Sequence, residues 1–451
     1  MKGIVIFFLN LLWVNISGLP VHAQKPPPNI IIVLADDLGY GDLGCYGHPT
    51  IRTPNLDRMA VQGMRFTQFY VAANVCTPSR AALLTGKLPI RNGMTGGTGV
   101  LFPFSAGGLP QAEITIAEVM KKQGYSTACI GKWHLGHLPE FLPNRQGFDY
   151  YFGIPYSNDM LPGPNNKFPP LPLIKNEKII EESPDQTNLT KRYTEEATAF
   201  IKNNKNKPFF LYYPNNFPHV PLYASQAFNG KSKRGSYGDV VEELDWSVGQ
   251  IFKTLKDLKL ENNTIVIFTS DNGPWLREKE NGGSAGLLYE GKGSAYEGGM
   301  RVPAIAWWPG TIKPNQVSAS LATTLDLYVT LAKIANAELP ADQQLDGYDI
   351  LPILKSENEN IRELVYFYNQ SNLYAIRKGP WKAHFITRPS YSKDTAAAHN
   401  PPLLYNLDND PSEKYDLSKN HPDIIEIMKQ EYEKHKAGIR KVPSNLEAKL
   451  F

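Results

Sequence analysis

The chain has 451 residues, 42% of them hydrophobic and 20% charged, enough for a large core in about two domains and inconsistent with global disorder. Its 47 basic and 44 acidic residues leave a formal net charge of +3, so bulk charge gives nucleic-acid binding no support. Three cysteines, Cys45, Cys76 and Cys129, are too few and too odd in number for a disulfide-stapled scaffold.

The N-terminus reads Met1-Lys2, an apolar run from Ile4 to Val14, and a stretch ending Val21-His22-Ala23. A basic residue, a core too short to span a bilayer and a small residue at the end predict a secretory signal peptide over 1–23. With no later long apolar run, the expected product is secreted or periplasmic, with no membrane span after cleavage. Sparse cysteine usage suits such an exported protein.

From there, short apolar runs alternate with helical patterns, which predicts an α/β fold with a large, mainly parallel sheet between helices over residues 24–354. Ile30 to Ala35 reads as a buried strand and delivers Asp36-Asp37. Cys76-Thr77-Pro78-Ser79-Arg80 follows, with Pro78 placed for the first turn of a helix. A thiolate phosphatase loop would need arginine at position 82, which is Ala82, so its spacing does not fit. Thr115 with Glu118 makes a capping box, and Gly124 closes that helix. Thr127 to Ile130 is a second strand, leading to Lys132 and His134. Phe209 to Tyr213 is a third, leading to His219. Val241, Leu244, Val248, Ile251, Phe252 and Leu255 recur at helical spacing, and Ile265 to Thr269 is a fourth strand running into Asp271-Asn272. Beyond Leu354 the pattern changes to strands at Leu364 to Asn369, Leu373 to Ile376, Trp381 to Ile386 and Leu403 to Leu407, then a helix from His421 to Lys441. That predicts a smaller C-terminal α+β subdomain over 355–451.

Ligands of open α/β sheets bind beyond the carboxyl ends of the strands. Taken alone, Asp36-Asp37 is a turn or cap and His219 beside Pro218 a loop residue. Four strands that each end in metal-ligand or acid–base groups make a constellation with Cys76. Asp36, Asp37, Asp271 and Asn272 all offer oxygen, which fits a hard cation, Ca2+ before Mg2+, rather than zinc. Arg80 would place a fixed positive charge one helical turn from Cys76. Lys132 and Lys292 would hold an anion as point charges.

The Cys76 run resembles the maturation signature of the type I, formylglycine-dependent sulfatases of the alkaline phosphatase superfamily. Ala35-Asp36-Asp37-Leu38-Gly39-Tyr40-Gly41-Asp42, Gly131-Lys132-Trp133-His134-Leu135-Gly136, Ser270-Asp271-Asn272-Gly273 and Gly291-Lys292-Gly293 through Glu297-Gly298-Gly299-Met300-Arg301 are similar to that family's blocks, in its order. Tyr405-Asn406-Leu407-Asp408 and Asp410-Pro411-Ser412-Glu413 resemble its C-terminal region, in the branch of arylsulfatase A and N-acetylgalactosamine-6-sulfatase. The resemblance implies that a sulfatase-maturing enzyme oxidises Cys76 to Cα-formylglycine, whose hydrate attacks sulfate esters. It implies that Asp36, Asp37, Asp271, Asn272 and residue 76 ligate calcium, and that Asp271 takes the attacking hydroxyl's proton. His219 and Lys292 would hold the ester and protonate the leaving alcohol. His134 would take the proton that expels sulfate, and Lys132 and Ser157 would lie near the sulfate.

A formylglycine-dependent phosphonate or phosphodiester hydrolase remains the alternative. Two-zinc members of the superfamily usually carry Asp-His where this chain has Asp271-Asn272, which favours a single-metal site. The expected substrate is a sulfated carbohydrate or other small sulfate ester. Trp133, Tyr156, Trp275 and Tyr289 are candidates to stack on it, and His384 and His399 to border the pocket.

Overall fold

The structure, a computed structural model, describes residues 27–164, 166–357 and 360–450. The leader reading falls on residues 1–23, outside the described residues. The apolar runs assemble into a mixed sheet of ten strands. Its middle is formed by the four strands that the sequence singles out. Thr264–Ser270, Asn29–Ala35, Phe209–Pro214 and Ser126–Ile130 lie side by side and parallel, and Tyr150–Gly153 extends the parallel set. Ala304–Trp307 on one flank and Pro172–Lys175 on the other join antiparallel. Because the four central strands run the same way, the residues that follow them emerge at one edge.

Alternation along each strand feeds two cores. Ile30, Ile32 and Leu34 face one layer, while Ile31, Val33 and Ala35 face the other. A parallel sheet must be covered on both faces, which explains why its strands read as unbroken apolar runs. The first layer receives Leu83 and Leu84 of the helix Cys76–Thr85, Val119 and Met120 of Ile116–Lys122, and Leu327 and Leu331 of Thr324–Ile334. The Thr115–Glu118 capping box is formed. On the second layer, Ser236–Asp257 buries Val241, Leu244, Val248, Ile251 and Leu255, with Phe252 half-buried at the margin.

A separate antiparallel sheet follows, with Leu364–Asn369, Asn372–Lys378, Trp381–Thr387 and Ala397–Asn406 in chain order. The helix Pro422–Gly438 sets Ile425, Met428 and Tyr432 against it. The last strand begins at Ala397 rather than Leu403, passing through Pro401 and Pro402. Proline lacks the N–H that an inner strand needs, but this strand is at the sheet's edge, where the missing donor costs nothing. Residues 442–450 then return to the large layer. Val442 N donates to Ile90 O (3.3 Å), Asn445 N to Gly93 O (2.8 Å) and Leu450 N to Phe104 O (2.9 Å), while Leu446 is buried in the first core.

A cluster of buried charges joins the two sheets. Glu297, fully buried on the large unit, accepts from Tyr70 Oη (2.6 Å) and from Lys382 Nζ (3.0 Å) on the small one. Lys382 Nζ also lies 2.9 Å from Glu413 Oε1, and Glu413 Oε2 accepts from the Glu297 backbone N (2.7 Å). Burial by itself raises the Glu297 carboxyl. Lys382, Arg377 and Arg301 outweigh it and bring the group down to about 2. Removing one partner of a buried pair strands the other's charge and costs about 3–5 kcal/mol. Lys382→Met is therefore expected to lower the thermal midpoint by several degrees in calorimetry. The exposed Lys253, paired with Asp257 on the surface, should tolerate the same change. Equal midpoints for the two variants would contradict this account of the junction.

Candidate active site

The edge to which the four strands point gathers the predicted residues around Cys76. Cys76 opens its helix and is 2% exposed. Its sulfur and carboxylate oxygens of Asp36 and Asp271 lie within 4.8 Å of one another, and the same holds for Cys76 with Asp37 and His219. Arg80, one turn along the helix, is fully buried. Its Nε and Nη2 lie 2.9 and 2.8 Å from Asp271 Oδ2, its Nη2 3.4 Å from Asp36 Oδ1, and its Nη1 donates to Lys132 O (2.8 Å). Lys132 Nζ reaches Asp36 Oδ2 (2.6 Å) and Ser157 Oγ (3.1 Å). Lys292 Nζ reaches Asp37 Oδ2 (2.8 Å), and His219 Nε2 lies 3.5 Å from the same oxygen. Asn272 Nδ2 donates to Asp37 Oδ1 (2.7 Å), and Asp37 N to Asp271 Oδ1 (3.1 Å). Every predicted site residue except His134 is tied into this one network.

His134 lies beside it by another route. Its ring Nε2 meets Leu101 O at 2.9 Å, and a carbonyl only accepts, so Nε2 carries the proton. That leaves a lone pair on Nδ1, buried and without a protein partner. Burial, with Lys132 and Arg80 behind it, holds the ring well below the usual histidine range. The imidazole is neutral at neutral pH, with the Nδ1 lone pair unoccupied. Thr77 Oγ1 donates to His134 O (3.0 Å) and accepts from Leu101 N (3.2 Å), fixing both segments to the helix that carries Cys76. Nothing in the sequence patterning marks Thr77 for this task.

Backbone geometry supports the crowding. Asp37 and His134 both have positive φ, +66° and +59°, a conformation that costs a non-glycine residue energy and gathers at functional sites. Gly273 follows Asn272, and a Cβ there would sit 1.8 Å from Gly298 O, so only glycine lets this loop pass.

Charge decides what the cluster can do. Burial of Asp36 raises its carboxyl, but Lys132, Arg80, His219 and Lys292 together bring it well below the ordinary carboxylate range. Asp271 differs. Burial and the neighbouring Asp36 push it up to about 7 in spite of Arg80. The Cys76 thiol is driven up by burial, with Lys132 and Lys292 only partly opposing, so the unmodified side chain is a neutral thiol and a poor nucleophile. Two buried oxygens, Asp36 Oδ1 and Asn272 Oδ1, have no hydrogen-bond donor. Unsatisfied acceptors beside three carboxylates fit a hard divalent cation.

Of the aromatic candidates only Trp275 belongs here, its ring 5.4 Å from that of His219 and 4.4 Å from Lys292 Nζ. Trp133 is fully buried against Phe148, its indole donating to Phe141 O (2.8 Å). Tyr156 is buried with its hydroxyl on Pro170 O (3.2 Å), and Tyr289 packs on Tyr296. Both histidine candidates are also displaced. His384 lies in the inter-sheet cluster, 2.6 Å from Glu413 Oε1, where its sheet register buries it, and His399 pairs with Thr387 Oγ1 (2.8 Å) on the edge strand. Tyr391, which no motif flags, stands 5.8 Å from Trp275, and the neighbouring Ser390 hydroxyl donates to Lys292 O.

Comparison with known proteins agrees with this geometry. Residues 28–337 match the family described as Sulfatase, and residues 360–450 the C-terminal region of aryl-sulfatase. The chain is a sulfatase. It is 45% identical to arylsulfatase A of Homo sapiens, covering 93% of this chain and 89% of that one, and 41% identical to N-acetylgalactosamine-6-sulfatase of Sus scrofa, covering 93% and 87%. A solved structure described under metabolism of multiple glycosaminoglycans by Bacteroides thetaiotaomicron superposes with a TM-score of 0.80 at 32% identity, covering 92% of this chain and all of that one. Sulfatases generally use a formylglycine and a divalent metal. No helix among the described residues of this sulfatase is long and apolar enough to cross a membrane.

If the thiols are as suppressed as burial implies, protein made without maturation should resist iodoacetamide at pH 8. Cys45 is pushed up to about 12, and Cys76 and Cys129 also lie well above the ordinary thiol range. Mass spectrometry is expected to find all three cysteines unlabelled in the folded protein and labelled in urea. Rapid labelling of folded Cys76 would contradict the neutral thiol.

Proposed function

We propose that this sulfatase is exported to the periplasm or the cell exterior after loss of residues 1–23, that a sulfatase-maturing enzyme converts Cys76 to Cα-formylglycine, and that the mature enzyme uses calcium to release sulfate from a sulfated carbohydrate. Residues 24–354 form the catalytic domain and 355–451 the C-terminal subdomain in this reading. The observation that carries it is the donor set itself. Asp36, Asp37, Asp271 and Asn272 converge on Cys76, and two of their oxygens lack donors. All of these are oxygen ligands, which calcium accepts in irregular geometry and magnesium less readily.

Hydrated formylglycine supplies a nucleophilic hydroxyl and a second hydroxyl whose deprotonation releases sulfate, an exit that serine or unmodified cysteine lacks. Asp36, Asp37, Asp271, Asn272 and residue 76 would hold calcium, which would supply Lewis-acid polarisation of a sulfate oxygen. The side chains around them do the rest. Lys132, positioned by Asp36 and Ser157, and Lys292, positioned by Asp37, hold sulfate oxygens. Arg80 fixes the orientation of Asp36 and Asp271. Asp271 takes the proton of the attacking hydroxyl, and His219, beside Lys292, serves the leaving oxygen. The His134 Nδ1 lone pair takes the second proton. The carbohydrate class is supported by the name of the N-acetylgalactosamine-6-sulfatase relative and by the glycosaminoglycan context of the structural neighbour.

Protein co-expressed with a sulfatase-maturing enzyme should give a position-76 peptide whose mass reflects an aldehyde in place of a thiol, and should release sulfate from an aryl sulfate and a sulfated sugar only with calcium present. His134→Ala should cut kcat by about 10²–10⁴-fold, the usual worth of a positioned general base. Full modification without sulfate release in calcium would refute the proposal, and faster turnover of a phosphonate ester than of any sulfate ester would reassign the enzyme to phosphonate hydrolysis.

A further inference from the structure

Beside the Cys76 cluster lies a cavity of about 220 Å³, between the start of the helix Cys76–Thr85 and the C-terminal sheet. Four parts of the chain meet in its wall, one of them the segment from Pro89 to Gly99. Asn74 and Pro78 flank Cys76, Gly293 directly follows Lys292, and Asn369, Arg388 and Tyr391 come from the C-terminal part. The cavity therefore adjoins the groups that hold the sulfate in the proposed mechanism.

Its polar groups are unfinished. Asn74 Nδ2, Asn369 Nδ2 and Arg388 Nε are each shut away from water with no hydrogen-bond partner. Asn74 and Asn369 are 3% and 5% exposed, so solvent does not complete them. A buried donor left unpaired costs about 1–3 kcal/mol, and three around one cavity are not explained by packing. Arg388 forms no ion pair among the described residues. Among the described residues no acidic side chain lines the cavity, and Glu447, which accepts from the backbone N of the lining residue Gly97 (3.0 Å), is already occupied there. All three unmatched groups are N–H donors, and one is a guanidinium. The occupant they fit brings oxygen acceptors and negative charge.

The geometry points to this cavity as the subsite for the part of the substrate beyond the scissile ester, where Arg388 pairs with an anionic substituent of the sugar, a carboxylate or a second sulfate, and Asn74 and Asn369 donate to its oxygens. The inference rests on reading the Cys76 cluster as the sulfate site. Tyr391 lines this cavity, and its ring stands 5.8 Å from that of Trp275, which packs on His219 and Lys292, so the two rings connect the cavity to the Cys76 cluster.

Three sulfated disaccharides test it, identical except that the sugar next to the sulfated one is neutral, bears a carboxylate, or bears a second sulfate. For the matured, calcium-loaded enzyme, kcat/KM is expected to be about tenfold or more higher for an anionic member than for the neutral one, the gain of one charge-assisted hydrogen bond. Which anionic member leads assigns carboxylate or sulfate. Arg388→Gln should erase the preference, and Arg388→Lys should retain part of it. Binding of methyl β-D-glucuronide and methyl β-D-glucoside, followed by NMR titration, reads the cavity without hydrolysis. Tighter glucuronide binding that disappears in Arg388→Gln supports the subsite even where no ester is cleaved, a result that would instead count against the reading of the Cys76 cluster. Equal kcat/KM across the three disaccharides with equal binding of the two glycosides, or a preference that survives Arg388→Gln, overturns the subsite and leaves the sulfatase reading intact.

Discussion

Three carboxylates and a cysteine are packed at one edge of the sheet, out of reach of water, and they coexist only because Arg80, Lys132 and Lys292 are fixed among them. A buried charge without a partner costs several kcal/mol, so the cations are a condition of the fold as much as of the chemistry. The requirement constrains everything upstream. The carboxylates come from the ends of Asn29–Ala35 and Thr264–Ser270, Lys132 from the end of Ser126–Ile130, and Arg80 from a helix lying on the sheet. A one-residue slip in any of these pairings would move a charge away from its partner. Strand register and charge balance are thus one problem with one solution.

Much of this could be seen in the sequence because the governing signals are local. An apolar run ending in Asp-Asp or Asp-Asn carries both the strand and its functional tip, and parallel strands place such tips together. The four central strands, the capped helix at Ile116 and the eleven site residues all followed from that logic or from the motif resemblance. What escaped depends on contacts distant in sequence. Thr77 matters because Leu101 and His134 meet it, Tyr391 because its loop folds over Trp275, and neither leaves a periodic trace. Trp133 and Tyr156 misled for the converse reason. Aromatics beside site residues in the sequence suggest a substrate, while the structure uses them as core. Pro401 and Pro402 hide the true start of the edge strand at Ala397, because proline's cost depends on whether a strand has a neighbour on that side.

The C-terminal sheet is more than an appendage. Glu413 closes the amino end of the turn at Glu297, Lys382 bridges the two acids, and Ser390 holds the backbone of Lys292. The small C-terminal unit thereby holds Lys292 from behind and walls the neighbouring cavity from the side. In that division of labour the large sheet sets the chemistry common to the site, and the loops of the small sheet set what lies around it.

The return of residues 442–450 to Ile90, Gly93 and Phe104 has a consequence for how the molecule is made. On a ribosome the segment around residue 100 emerges hundreds of residues before the one that seals it, with Leu446 the late plug of an early core. The first layer of the sheet therefore lacks Leu446 until that distant segment has been made. Cys76 opens the helix whose Leu83 and Leu84 pack in that layer, so the interval between its appearance and the completion of its surroundings is set by chain connectivity, and the fold carries its own timetable.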